Sequence, residues 1–183
     1  MNLSLWHPGY MVGCFVLRND SNGRWRMRKR VIHQGAREAP ADDQDWLDLE
    51  QLVQAELTSE DSEYPLEAAL GMQAGAGWRA QQSGKQTIRL LFDEPLRISH
   101  IRLVFEEKEQ PRTQEFALRW SPDGGVSWEE IVRQQYNFSP PDSSREVEDY
   151  VVDIDGLTQL ELNIIPDISG GETRASLARL HLA

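Results

Sequence analysis

Aromatic, guanidinium and amide side chains recur where the strand-like segments of this chain end, and these residue types suit recognition of a hydroxyl-rich ligand. A pyranose ring has an apolar C–H face that packs on an aromatic side chain, and its rim of hydroxyls suits planar groups with several donors. Loops are where such contacts are usually made. The candidate ligand-binding residues are Trp78, Arg79, Arg112, Gln114, Tyr136, Asn137, Phe138, Asp167 and Arg174.

Each candidate also has a purely structural interpretation. Trp78 could pack in the core, and Arg112 could form a salt bridge within the loops. The 136–138 segment could fix its loop to the body of the domain. Two further tryptophans, Trp120 and Trp128, flank a Pro-Asp-Gly-Gly break, and we expect them to be structural.

No catalytic motif is present in the sequence. The four histidines, at positions 7, 33, 100 and 181, lie far apart and never at metal-protease spacing, and there is no nucleophile elbow or phosphate-binding glycine loop. Cys14 is the only cysteine, which excludes a disulfide framework or thiolate cluster. The 30 acidic residues make some carboxylate pair inevitable, so their abundance is no evidence for a glycosidase. We therefore expect no enzyme, no metal and no cofactor; a hydrolase would require a cleft with two convergent carboxylates or a metal.

The charge distribution disfavours nucleic acid as a partner. The net charge is −11, and apart from a basic stretch at Arg24–Arg30 the chain is strongly acidic. Nucleic-acid affinity comes largely from neutralising phosphates. No apolar run approaches the roughly 18 residues of a membrane span, and Pro8-Gly9 interrupts a short apolar start that has no basic leader. These features predict a cytoplasmic protein of bacterial type without a signal peptide.

The N-terminal third of the chain predicts two elements. Alternation over residues 10–33, broken by a polar Gly-containing stretch, is typical of a β-hairpin. Trp46, Leu49, Leu52, Val53 and Leu57 fall at helical spacing, which predicts one short helix over 42–57.

The remainder predicts an all-β sandwich. One-sided alternation of apolar residues requires a second sheet to cover the apolar face, and evenly spaced Gly, Pro and Asp breaks separate the strands. The predicted strands are 87–92, 98–106, 114–121, 127–135, 146–154, 159–165 and 175–182.

The order of motifs resembles the discoidin, or coagulation-factor C-type, family. It runs W78-R-A, the strand Q86-T-I-R-L-L-F-D, I98-x-x-I-R-L-V-F, R112-T-Q-E-F-A-L-R-W-S-P-D-G-G-V-S-W and A175-S-L-A-R-L. The resemblance covers about residues 62–183 and implies a galactose-binding-like jelly roll there. We accordingly expect a sandwich domain over 61–183 and a hairpin-plus-helix extension over 1–60.

The family resemblance implies a non-catalytic binding module that uses loops at one end of the sandwich, with Arg112 at or near that end. Carbohydrate is the leading ligand class, and the alternative is a protein–protein interaction domain of the same fold in a cytoplasmic complex. Many members hold a structural calcium, but the 68–77 loop here has no Asp, and Arg179 stands where Glu is common. We expect no calcium. The sequence leaves open which ligand is bound and how many copies associate.

Overall fold

Eight antiparallel strands account for most of the residues that the computed structural model describes, which are 45–73 and 75–183. These residues belong to one compact unit, Asp42–Ala183. Two short helices, α1 (Leu49–Leu52) and α2 (Glu67–Leu70), accompany the strands. The strands are β1 (Val53–Leu57), β2 (Trp78–Ser83), β3 (Gln86–Glu106), β4 (Arg112–Ser121), β5 (Glu129–Phe138), β6 (Arg145–Ile165), β7 (Arg174–Leu177) and β8 (Arg179–Leu182).

The strands form a six-stranded and a two-stranded sheet. The larger sheet has the order β1-β3-β6-β4-β5, with β8 also paired to β3, and the smaller sheet pairs β2 with β7. The ladder between β3 and β6 is irregular between Leu91 and His100 of β3. On one side of this irregularity β3 pairs with β1, and on the other it pairs with β8. The irregular stretch of β3 therefore divides the larger sheet into a part that contains β1 and a part that contains β8.

The core follows the alternation of apolar residues in the strands. Ile88, Leu90 and Phe92 of β3 are buried, while the residues between them are more accessible. Phe105 of β3 packs on Phe116 of β4 with ring centroids 5.0 Å apart. These contacts confirm the predicted all-β class, because a strand face that is apolar at every second residue is buried when another layer covers it.

The helix predicted over 42–57 is wrong for most of its described length. Only Leu49–Leu52 is helical, and Val53–Leu57 is an edge strand in register with Ile88–Phe92. A short helix has little intrinsic stability in water, whereas the edge of β3 offers a complete row of backbone partners. Leu49 is fully buried. Strand β2 was not predicted either; its partner β7 is only four residues long.

The other predicted strands are present, with different connections. Segments 87–92 and 98–106 join as β3, and 146–154 and 159–165 join as β6. The segment 175–182 is divided at Ala178. The predicted hairpin over 10–33 lies outside the described residues, and the division into 1–60 and 61–183 stays a prediction, although β1 belongs to the larger sheet. No helix in the described part of the chain is long and apolar enough to cross a membrane.

The turn between β4 and β5 is organised by the Asp123 carboxylate. It accepts hydrogen bonds from the Ser127 N–H at 2.8 Å, the Ser127 hydroxyl at 2.7 Å and the Ser121 hydroxyl at 2.8 Å. The bonds from Ser127, followed by that from Ser121, lower the pKa of Asp123 to about 2. Gly124 and Gly125 have φ of +70° and +89°, where a Cβ would be strained. The Pro-Asp-Gly-Gly break is thus the turn between the strands that the sequence predicts over 114–121 and 127–135.

The Glu148 carboxyl of β6 lies near β5, and its pKa is raised where that of Asp123 is lowered. Gln134 Nε2 donates to Glu148, and the Tyr150 hydroxyl donates to the same carboxyl at 3.1 Å. Burial, followed by the neighbouring Glu146 carboxyl, raises the pKa of Glu148 to about 7. Since a raised carboxyl pKa means that the folded state holds its proton more tightly, Glu148 stabilises the fold below its unfolded pKa, and this contribution is lost as the pH rises through about 7.

We expect Asp123→Ala to lower the melting temperature, because it leaves the Ser127 amide without its acceptor. Asp123→Asn, which keeps one acceptor oxygen, should lower it less. Thermal unfolding followed by circular dichroism measures both. Asp153→Ala is the matched control, because Asp153 is 81% exposed and forms an ion pair with the exposed Arg97. An Asp123→Ala variant that melts with the control would contradict the role of the turn.

Glu148→Gln should reduce the loss of stability between pH 5 and pH 8, because an amide has no proton to lose in this range. The midpoint of urea unfolding at several pH values measures the effect. The exposed Glu130→Gln serves as control. Parallel pH profiles for the wild type and Glu148→Gln would show that this carboxyl does not titrate as described.

Candidate functional site

A cleft of about 360 Å³ opens where the connection between β3 and β4 meets the small sheet. Residues 106–110 form one wall and residues 172–178 another, while Tyr64 and the start of β2 complete it. The β3–β4 connection and the segment before β7 are both irregular, so the strands that flank them hold the walls of the cleft in place. The cleft brings together four of the predicted ligand-binding residues.

The floor of the cleft is organised by Arg112, the first residue of β4. Its side chain is 1% exposed, and each guanidinium nitrogen lies close to a protein oxygen. Nε is 3.0 Å from Glu107 Oε2, Nη1 donates to the Arg174 carbonyl at 2.9 Å, and Nη2 donates to Ser176 Oγ at 3.3 Å and Gln114 Oε1 at 3.4 Å. Burial lowers the pKa of Arg112, and the Glu107 carboxylate opposes this shift. The guanidinium thus joins β4 to β7 across the two sheets.

The rim of the cleft carries a more accessible guanidinium, that of Arg79 in β2. It lies over the Tyr64 ring, with Cζ 4.8 Å from the ring centroid, and its Nη2 is 3.6 Å from Glu109 Oε1. The Arg79 amide donates to the Tyr64 carbonyl at 3.1 Å, which fixes the two residues side by side. With 31% of the Arg79 side chain exposed, this rim presents a planar donor, an aromatic ring and a carboxylate to solvent.

The Arg174 side chain also lies at the cleft, at the start of β7. Its Nη1 donates to Asp61 Oδ2 at 3.0 Å, which ties the 58–65 connector to the wall. Asp167 has a different place, since its carboxylate accepts bonds from the Ser169 amide at 2.9 Å and hydroxyl at 2.7 Å. These bonds lower the pKa of Asp167 and shape the turn that leads to β7.

The 136–138 segment belongs to strand β5 and lies beside the floor. Tyr136 and Phe138 meet edge to face with centroids 4.8 Å apart, and the Phe138 ring lies 5.7 Å from Arg112 Cζ. The Tyr136 hydroxyl bonds Ser143 Oγ at 2.7 Å, and Asn137 accepts a bond from Thr113 at 2.7 Å. The three side chains thus have structural partners, as the alternative interpretation from sequence expects.

The structure brings some of the predicted residues together and separates others. Those that line the cleft are Trp78, Arg79, Arg112 and Arg174. Those that lie outside its lining are Gln114, Tyr136, Asn137, Phe138 and Asp167. Trp78 and Gln114 are each 1% exposed, and Trp78 Nε1 and Gln114 Nε2 have no hydrogen-bond acceptor in the described part of the chain. A ligand-binding role for each of the nine stays a prediction.

Among the cleft residues that the sequence analysis missed, three could contact a ligand through a ring or a carboxylate: Tyr64, Glu109 and Glu172. Tyr64 ends the acidic connector before Pro65, and an aromatic residue in a polar connector was the available signal. Glu109 and Glu172 could not be distinguished among the many carboxylates, because only their position at the cleft sets them apart.

The segment after α2, which the family resemblance associates with calcium, does not fit a metal ion. Arg179 Nη2 donates to the Gln73 carbonyl at 3.5 Å, and His181 Nε2 is 3.4 Å from the Gly71 carbonyl. A guanidinium beside these carbonyls opposes a second cation. Within residues 45–73 and 75–183, no group of three His, Cys, Asp or Glu side chains is placed to hold a metal.

Solved structures share this fold. The family 32 carbohydrate-binding module of C. perfringens NanJ, in complex with galactose, aligns with a TM-score of 0.57 at 14% identity over 75% of this chain and 96% of its own. A second Clostridium perfringens module of family 32, in complex with GalNAc-β-1,3-galactose, aligns with a TM-score of 0.55 at 17% identity over 75% and 98%. The family 32 module of AlyQ, in complex with 4,5-unsaturated mannuronic acid, gives 0.52 at 14% over 72% and 95%.

No protein-family model matches the chain, and no curated protein matches its sequence. At these identities the structural likeness establishes the fold, a galactose-binding-like jelly roll, which confirms the predicted fold class.

We expect Arg112→Ala to lower the free energy of unfolding by about 3–5 kcal/mol, since it leaves the Glu107 carboxylate buried without its partner. Denaturant unfolding measures this loss. Arg97→Ala, which removes an exposed ion pair, should cost at most about 1 kcal/mol. Equal losses in the two variants would show that the buried pair does not hold the floor.

Proposed function

We propose that this chain is a non-catalytic carbohydrate-binding module whose ligand occupies the cleft beside Tyr64 and Arg79. The observation that carries the proposal is the arrangement of the rim: a half-exposed guanidinium packed on a tyrosine ring, with the Glu109 carboxylate 3.6 Å away. The fold adds support, because modules of the same fold have been solved with galactose and with a GalNAc-galactose disaccharide.

The chemistry of the rim matches the surface of a sugar. The Arg79 N–H groups donate to hydroxyl or ring oxygens, and the Glu109 carboxylate accepts from hydroxyl groups. The Tyr64 ring supplies the apolar surface that the C–H face of a pyranose requires. The ion pair between Arg79 and Glu109 is solvent-exposed and therefore contributes little to folding, so both groups remain available for hydrogen bonds to a ligand.

Arg112 has a positioning role in this proposal. Its Nη1 and Nη2 donate to the Arg174 carbonyl and to Ser176 Oγ, and the Glu107 carboxylate pairs with it at 3.0 Å, so it contributes by holding the two walls at a fixed separation. A rigid, preformed cleft reduces the entropy lost when a ligand binds.

A binding role is proposed over hydrolysis because the carboxylates at the end of β3 and in the β3–β4 connection are each engaged by a cation. Glu106 pairs with Lys108 at 2.7 Å, and Glu107 and Glu109 pair with Arg112 and Arg79. Glycoside hydrolysis instead requires one carboxyl that donates a proton and a second that attacks or activates water.

We expect a glycan array probed with the full chain to give binders, and Arg79→Ala and Tyr64→Ala each to weaken the best binder about tenfold or more, which corresponds to about 1.4 kcal/mol. Isothermal titration calorimetry measures the affinities. Arg97→Ala is the control, as an exposed ion-paired arginine outside the cleft lining.

Retained secondary structure and melting temperature in the Arg79→Ala and Tyr64→Ala variants would show that the loss is local. The proposal fails if no glycan binds, or if binders are unaffected by both substitutions. A protein partner captured through the same residues in the absence of glycan binding would favour the interaction-domain alternative.

A further inference from the structure

The ionic groups that line the cleft balance one another. They comprise four cations and four carboxylates: Arg79, Lys108, Arg112 and Arg174, and Glu106, Glu107, Glu109 and Glu172. Overall the chain carries a net charge of −11. A cleft with an excess of cations would draw anionic ligands, because walls of one charge sign concentrate the field within a concavity. This lining provides no such excess, and the net charge of the chain is negative.

Every lining cation already has a carboxylate partner. Lys108 and Arg112 pair with Glu106 and Glu107 at 2.7 Å and 3.0 Å. Arg174 pairs with Asp61, just outside the lining, at 3.0 Å. The loosest pair is Arg79 with Glu109, at 3.6 Å. An anionic ligand would therefore have to displace a protein carboxylate from its cation.

The displaced carboxylate would stay at the site. If a ligand carboxylate took the place of Glu109 on Arg79, the Glu109 side chain, which is 73% exposed, would remain on the same rim and repel it. Glu172 is exposed on the opposite wall and has no ion-pair partner in the described part of the chain. Two like charges within one small cleft disfavour a third.

Hydroxyl groups meet neither obstacle. A hydroxyl both donates and accepts, so one hydroxyl can accept from Arg79 while its neighbour donates to Glu109, with the ion pair left nearly in place. The pair then forms hydrogen bonds to the ligand that are assisted by both of its charges. Glu172 provides a further acceptor for hydroxyl donors.

We infer that the cleft selects neutral glycans with free neighbouring hydroxyls and excludes uronic-acid glycans, with Glu109 and Glu172 as the specificity-determining residues. This inference rests on the proposed carbohydrate function and specifies its ligand class.

Sugar pairs of the same ring configuration that differ only by a carboxylate at C6 test the inference. Galactose oligosaccharides are compared with galacturonic acid oligosaccharides, and glucose with glucuronic acid oligosaccharides, by calorimetry on the full chain at pH 7. The neutral member of at least one pair should bind at least tenfold more tightly than its uronate. Its affinity should change less than twofold between 50 and 300 mM salt, because no net charge is neutralised on binding.

The double variant Glu109→Gln/Glu172→Gln identifies the cause. It keeps the side-chain size and removes both negative charges, so the ratio of neutral to uronate affinity should fall at least fivefold. Glu94→Gln, an exposed site outside the cleft lining, should leave the ratio unchanged.

The outcomes separate this inference from the function on which it rests. Uronates that bind as tightly as their neutral partners, or more tightly, and lose affinity in Arg79→Ala would overturn the neutral selectivity and leave carbohydrate binding at this cleft intact. An unchanged ratio in the double variant would overturn the roles of Glu109 and Glu172. The absence of binding to every sugar tested would refute both proposals.

Discussion

The buried guanidinium of Arg112 is the constraint on which the candidate site depends. A charged group at 1% exposure is tolerated only when it is paired and hydrogen-bonded, and its partners are Glu107 in the β3–β4 connection and groups of Arg174 and Ser176 in β7. Because Glu107 lies on one wall of the cleft and Arg174 and Ser176 lie on the other, satisfying one side chain fixes the distance between the two walls.

The floor and the rim of the cleft each contain an arginine–glutamate pair, and the two pairs differ in their exposure to solvent. The Arg112–Glu107 pair is buried and therefore costly to break, whereas the Arg79–Glu109 pair is exposed and contributes little to folding. The rim can thus form hydrogen bonds with a ligand while the floor stays fixed. A further buried carboxylate, that of Glu161, is paired with arginines within the larger sheet. Burial raises the pKa of Glu161, but hydrogen bonds from Arg119 and Arg89 lower it overall, so the carboxylate and the two guanidinium groups form an ion cluster.

Local sequence patterns predict a feature well when the physical cause is local. The Asp123 turn is such a case, since its donors lie within four residues of the carboxylate. The 42–57 segment shows the opposite, because its helical spacing is equally compatible with an edge strand once β3 provides backbone partners from 31 or more positions away. The candidate site was predicted in part, since Trp78, Arg79 and Arg174 were chosen for their chemistry. Tyr64 was not chosen, because its place beside Arg79 depends on a backbone hydrogen bond between the two residues that only the fold forms.

By itself the sequence determined the all-β class, the order of the principal strands and the acidic character of the surface, because alternation and charge are properties of the chain. Only the tertiary structure decided which arginine is buried and which is presented to a ligand. Arg79 and Arg112 are chemically identical in sequence, and what distinguishes them is contact with residues such as Arg174 and Ser176, more than 60 positions from Arg112. Such contacts form only when the two sheets meet, and they assign one guanidinium to the fold and the other to the cleft.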